Sequence, residues 1–148
     1  MILLEDIGND KIDLIKDLWE MNRRHHEATS EYFGSKYKAL GFEERISRFR
    51  RMDGGNVLIT IVRDDAEIVG YCLSSREGEA GELCSMHIKR EYRGKGIGQS
   101  LARRHLEWMK EGGCATIKVV VSQENETALR FYGSLGFRPN TIEMELAD

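Results

Sequence analysis

Apolar residues recur along this chain in two rhythms, and the changes from one to the other mark out its elements. Residues 1–7 are short and apolar and predict an edge strand. From Asn9 or Asp10, either of which can cap a helix, Ile12, Ile15, Leu18, Trp19 and Asn22 keep a 3.6-residue rhythm. The stretch 27–41 is mixed, with Tyr32, Phe33 and Tyr37 close to Gly34, and reads as a loop or broken helix. Phe42, Ile46 and Phe49, at i, i+4 and i+7, predict a second short helix that Asp53-Gly54-Gly55 stops.

Alternation then takes over. Residues 56–63 and 68–75 read as strands joined by a turn at 64–67, and a polar break at 76–81 leads to a third strand, 82–89. On that strand Glu82, Cys84, Met86 and Ile88 are expected on one face, because side chains alternate. Helical rhythm returns at Ile97, Leu101, His105 and Trp108 and ends at Gly112-Gly113. Residues 116–122 are β-branched enough for a central strand. Residues 125–135 form a helix with Ala128, Tyr132 and Leu135 on one stripe, and 137–146 supply a last strand or pair entered through Pro139. The predicted order is β-α-α-β-β-β-α-β-α-β. Hairpin strands followed by a βαβ unit imply an α/β fold: one domain over 1–148, with a central mixed, mostly antiparallel sheet flanked by helices.

Composition narrows the classes. With 148 residues, 41% hydrophobic and 32% charged, the chain is long enough for a real core and too apolar for a disordered segment. A net charge of −3 gives no general attraction to nucleic acid or to membrane. The basic clusters at 23–26 and 48–51 are surrounded by acidic residues and read as solvated helix faces. Cys72, Cys84 and Cys114 have no metal-ligand spacing, and a reduced, cytoplasmic protein is the simplest reading. No metal is expected: His25-His26 has no second ligand cluster, and His105 lies among apolar helix positions as a core histidine.

The chemistry concentrates at Arg93-Gly94-Lys95-Gly96-Ile97-Gly98-Gln99, a basic, glycine-rich turn between the third hairpin strand and the following helix. Backbone N–H groups at a helix N-terminus lack intrahelical partners and favour an anion, and glycine lets a ligand approach. A dinucleotide fingerprint would need a third glycine where Gln99 stands, and a Walker loop would need a Gly-Lys-Ser/Thr that is absent. Arg-x-x-Gly-x-Gly remains, satisfied by Arg93, Gly96 and Gly98. About thirty residues on come Asn125, Ala128 and Phe131-Tyr132-Gly133-Ser134-Leu135-Gly136-Phe137.

In this combination the chain resembles the GNAT superfamily of acetyl-CoA-dependent N-acetyltransferases over roughly residues 56–146. The resemblance implies that the turn from Arg93 to Gln99 wraps the coenzyme A pyrophosphate, and that Met86, His87 and Ile88 bond the pantetheine arm through their backbone. Asn125 and Tyr132 would face its lower arm and the thioester sulfur. Residues 82–136 then form the acetyl-CoA-binding core, and 8–52 the helices that shape the acceptor site. Lys89, Arg90, Arg93 and Lys95 cluster where a polyanion needs them.

Attack on a thioester needs a neutral amine. A lysine-like amine of pKa ~10.4 is neutral about once in 10³ at pH 7, a handicap of roughly 4–5 kcal/mol that a general base removes. Glu82 is the candidate base, and its offset from Ile88 resembles that of the catalytic glutamate in the histone-acetyltransferase branch. His87, which alternation sends to the other sheet face, and Glu31 are the alternatives. Tyr132 matches the general acid that protonates the departing thiolate, and a backbone N–H near Met86–Ile88 would stabilise the oxyanion.

The acceptor is read more coarsely. Glu20, Glu27 and Glu31 would align as an acidic wall on a continuous helix, or, with Arg23, Arg24, Lys36 and Lys38 among them, form a solvated, charge-mixed face. Ribosomal-protein N-terminal acetyltransferases, which the chain also resembles, carry a glutamate at about the position of Val120, so a small amine or a lysine side chain is the expected acceptor, with a peptide N-terminus as the alternative. A homodimer is the family-level expectation for assembly. A coenzyme A-binding sensor without catalysis is the competing class.

Overall fold

The alternating segments find one another as a single ladder in chain order. In the computed structural model, which describes residues 1–147, β1 (Ile2–Ile7), β2 (Val57–Asp64), β3 (Glu67–Glu77), β4 (Ala80–Ile88) and β5 (Thr116–Val119) form a five-stranded sheet. β1 to β4 are antiparallel neighbours, and β5 joins β4 in parallel after the crossover helix α4 (Ile97–Glu111). A 3-10 segment (Asn9–Ile15) and helices α1 (Lys16–Thr29), α2 (Gly34–Ala39) and α3 (Phe42–Arg51) lie between β1 and β2, and α5 (Glu126–Ser134) follows β5. The expected mixed, mostly antiparallel sheet with flanking helices is the observed one.

Strand alternation sorts the core into two layers. Ile59 and Ile61 of β2, with Tyr71 and Leu73 of β3, meet Ile12, Ile15, Leu18 and Trp19 and the α3 stripe Phe42, Ile46 and Phe49. Val62, Val69, Cys72 and Leu83 point the other way, onto Ile97, Leu101 and Ala102 of α4, with Phe131, Tyr132 and Leu135 of α5 beside them. Ile46 and Phe49 are both fully buried. Each such side chain contributes roughly 1.5–3 kcal/mol, so this stripe, rather than helix propensity, holds α3 on the sheet.

Three expectations are corrected. Asn9 caps no helix start; its Nδ2 donates to the carbonyls of Phe49 and Met52 (both 2.9 Å) and closes the end of α3. The polar stretch 76–81 is mostly strand: β3 runs to Glu77 and β4 begins at Ala80, across a two-residue turn with Gly78 at φ 59. Arg76 extends the strand because its guanidinium stacks 4.2 Å from the Trp108 ring and donates to the carbonyls of Trp108 and Gly55. The last strand, expected at 137–146, is absent among the described residues. Ile142, Met144 and Leu146 alternate as a strand would, but are 81%, 89% and 100% exposed. A strand needs a neighbour to bond, and Arg138 instead turns back onto the carbonyls of Gly133 and Phe137. The mixed stretch 27–41 resolves as the end of α1 and the short α2, giving the order β-α-α-α-β-β-β-α-β-α.

His105 is as buried as expected, but it is a polar hub. Its Nε2 lies 2.9 Å from Thr60 Oγ1 and its Nδ1 2.7 Å from Ser74 Oγ. Thr60 Oγ1 donates to Asp6, which also accepts from Arg104. The chain of bonds fixes α4 against three strands, and so fixes where its N-terminus points.

Candidate active site

The site begins with one extra residue. Leu73 pairs with Ser85 and Ser74 with Leu83, which leaves Cys84 as a bulge on β4. The bulge reverses the alternation. Leu83, Met86 and Ile88 face α4 and α5, whereas Cys84 packs with the α1–α3 layer. Ser85 bonds the Tyr71 hydroxyl of that same layer at 2.6 Å. Glu82 therefore does not share a face with Met86 and Ile88, as strict alternation implied. It shares the α1–α3 face with Cys84, Ser85 and His87, so His87 lies on its side of the sheet rather than the opposite one.

At the same place the sheet opens. β5 pairs with β4 only from Ala80–Leu83 against Thr116–Val119. Beyond Leu83 and Val119 the strands part, and β5 is shorter than the expected 116–122 because it has left its neighbour. Lys89 N–H donates to Val69 at 2.9 Å. Backbone groups alternate between the two edges of an antiparallel strand, so those of Met86 and Ile88 point into the opening while those of His87 pair with β3. Met86 and Ile88 can thus bond a chain laid in the gap. His87, expected to do so, cannot. The gap holds a cleft of ≈ 120 Å³ whose walls include Asn22, His26, Cys84, Met86, Asn125 and Tyr132.

The phosphate end is the N-terminus of α4. Gly94 and Gly96 take φ of 76 and 81, a left-handed geometry that an L side chain resists. They turn the chain so that the first N–H groups of α4 point outward, and no side chain among the described residues caps them. Arg93 Nε donates to the Ile88 carbonyl at 2.8 Å, which ties the turn to the strand. Lys95 lies 5.6 Å from the Tyr92 ring, whose hydroxyl donates to Asp64 at 2.6 Å. A free helix N-terminus and nearby cations at one end of an open strand edge fit a long ligand with an anionic head, which is the shape of coenzyme A.

Asn125 does two things with one position. Its Oδ1 accepts the Ala128 N–H at 3.0 Å and caps α5, and the residue also lines the cleft. The cap sets the pitch of α5, which brings Tyr132 into the cleft wall, with Phe131 and Phe137 edge-on at 5.1 and 5.8 Å. Burial holds the Tyr132 phenol protonated, well above its ordinary range. The Cys84 thiol is also raised, by burial and despite its bond to Ser75. It is therefore a poor nucleophile at neutral pH. His87 is pushed down to about 4 by burial and by Arg93, and is neutral.

A model of the acetyltransferase (GNAT) family matches residues 16–137. The chain belongs to the GNAT family. It is an acyltransferase by that membership, and its fold is shared by solved structures of low identity. PaiA N-acetyltransferase from Thermoplasma acidophilum, in complex with coenzyme A, superposes with a TM-score of 0.78 at 18% identity, covering 97% of this chain and 93% of that one. The tetramutant of the BH1408 protein from Bacillus halodurans gives 0.75 at 21%, covering 97% and 98%. Aminoglycoside N-acetyltransferase AAC(6')-Iy, in complex with coenzyme A, gives 0.68 at 12%, covering 100% and 95%.

Two residues of the cleft carry no motif. Asn22 continues the apolar stripe of α1 and His26 belongs to the basic cluster 23–26, yet both line the cleft. Their i, i+4 spacing was the available signal, since it places two polar groups on one side of α1. Of the two readings of the acidic residues, a wall or a charge-mixed face, the second is the observed one. Glu20 and Glu27 both bond Arg23 at 3.0 Å, so their charge is spent within the helix, and Glu31 lies beyond its end.

Proposed function

We propose that this GNAT enzyme moves the acetyl group of acetyl-CoA to a primary amine, on a small molecule or a lysine side chain, by direct attack within a ternary complex. The observation that carries the reading is the open edge of β4, with Tyr132 in its wall and the uncapped N-terminus of α4 at its end. Acetyl-CoA supplies the activated acyl carbon. In this reading α4 and its turn hold the pyrophosphate, and the outward backbone groups of Met86 and Ile88 hold the pantetheine arm and donate to the developing oxyanion. Tyr132 donates its proton to the departing thiolate, and burial keeps that proton in place until it is needed.

Direct attack is favoured over an acetyl-enzyme because the cysteine in the cleft, Cys84, is held as a thiol. Glu82 is the proposed carboxylate that turns the arriving ammonium into a neutral amine: it lies on the acceptor face, one residue before Leu83 of the cleft wall, and draws that first proton through water before attack. Residues 8–52 supply the acceptor side, through Asn22 and His26. The acceptor is small or extended rather than a peptide N-terminus, since Val120 stands where N-terminal acetyltransferases carry a glutamate and is 74% exposed. The AAC(6')-Iy neighbour is, by its name, an aminoglycoside acetyltransferase, which fits a small amine. Following free thiol from acetyl-CoA against a panel of alkyl and polycationic amines tests the reading. Amine-dependent release is expected. Binding of acetyl-CoA without release by any amine would replace it with a coenzyme A-binding sensor.

A further inference from the structure

Glu82 answers the need for a base from outside the cleft, while one titratable side chain that no motif assigned stands inside it. We propose that His26 is the catalytic base of this site, the group in contact with the acceptor amine that takes its proton as the C–N bond forms. This assignment rests on the acetyl-transfer reading and sharpens its acceptor side.

The geometry is specific. His26 comes from the last turn of α1 and lines the same cleft as Tyr132 and Asn125, with Asn22 one turn before it. Its ring is held by stacking on Tyr37 of α2, with centroids 5.4 Å apart at 24°. The side chain is therefore placed by two helices rather than waving from one. Its Nδ1 is buried and makes no hydrogen bond among the described residues. With Nδ1 enclosed, Nε2 is the ring nitrogen left to meet an acceptor in the cleft.

The titratable groups around the ring are His25 of its own helix, Tyr37 of α2, Cys84 and His87 of β4 and Tyr132 across the cleft. No carboxylate is among them to hold a proton on the imidazole. Burial and His25 depress its pKa below the ordinary histidine value, so it is neutral and ready to accept at pH 7. The balance is simple. The amine nitrogen bonds the acyl carbon and gives one proton to His26, the C–S bond breaks, and Tyr132 gives one proton to the sulfur. The imidazolium and the phenolate then exchange that proton through solvent, and both groups are restored.

The test compares wild type with His26→Asn, which keeps an acceptor atom near Nδ1 but takes no proton, and with His26→Gln, using an alkylamine acceptor. In wild type, log(kcat/KM) breaks slope at a pKa below 6.5; in both variants the break disappears and kcat at pH 7 falls by about 10²-fold or more. KM for acetyl-CoA and the thermal shift on adding coenzyme A stay unchanged, since neither variant touches the α4 site. An unchanged break in the variants overturns the assignment, as does a loss of coenzyme A binding equal to the loss of rate, which would mark His26 as structural. Glu82→Gln should retain the break, and a break lost there instead hands the role to Glu82. Wild type that acetylates no amine is a separate outcome: it removes the transferase reading and this inference with it. A second readout does not depend on turnover. Adding alkylamine to the coenzyme A-loaded protein should shift the His26 ring nitrogen resonances, and their indifference to the amine would count against contact.

Discussion

Replacing His105 by Gln should flatten the pH dependence of stability. Burial pushes the imidazole down to about 4, against an ordinary histidine value near 6.5. A histidine whose folded pKa is depressed contributes stability in full above the unfolded value, and that stability drains away as pH falls toward the folded one. In between, the unfolded chain binds a proton that the folded chain refuses. Over the whole window the difference is worth about 3 kcal/mol, and of that about 2 kcal/mol is lost between pH 7.5 and pH 5. Urea unfolding at the two pH values measures it. His87 is also pushed down to about 4 and adds a slope of its own, discounted for its partial exposure, so the wild-type total exceeds the His105 share. The comparison with His105→Gln isolates that share. The variant should start lower at pH 7.5, because the bonds to Thr60 and Ser74 are remade imperfectly. It should then lose about 2 kcal/mol less on going to pH 5. Equal losses in the two proteins would refute the argument.

Other expectations address the site. Tyr132→Phe should lower kcat by about 10²-fold with KM for acetyl-CoA unchanged, as steady-state kinetics would show, because only the proton to sulfur is removed. Cys84→Ala should keep most of the activity, and intact-protein mass spectrometry of wild type with acetyl-CoA alone should find no acetyl adduct on Cys84. An adduct that is lost on adding amine would contradict direct attack. Gly96→Ala forces a Cβ into a left-handed residue, at a cost of roughly 1–2 kcal/mol. Isothermal titration should show weaker coenzyme A binding, while far-UV circular dichroism shows the fold retained.

Much of the frame was legible because it rests on local pattern. The α3 stripe, the β2–β3 hairpin and the glycine-led start of α4 are each set by neighbours in sequence, and each was read within a residue or two. What was not legible depends on partners distant in the chain. The bulge at Cys84 leaves no mark in residues 82–88, because an extra residue is defined only by what β3 places opposite it. Strict alternation therefore put Glu82 with Met86 and His87 on the wrong side. The segment 137–146 has strand-like alternation, but a strand also requires an edge to bond, and that requirement is not written locally. His26 was hidden for a related reason: a histidine beside two arginines reads as solvated until α2 and β4 are seen packed around it.

The most direct test of the central claim is amine-dependent formation of free coenzyme A thiol, with the acetylated amine identified by mass spectrometry. The account predicts thiol and acetyl-amine in equal amounts with at least one primary amine, and much slower formation of both with Tyr132→Phe. Tight acetyl-CoA binding with no acetyl-amine from any primary amine would contradict it.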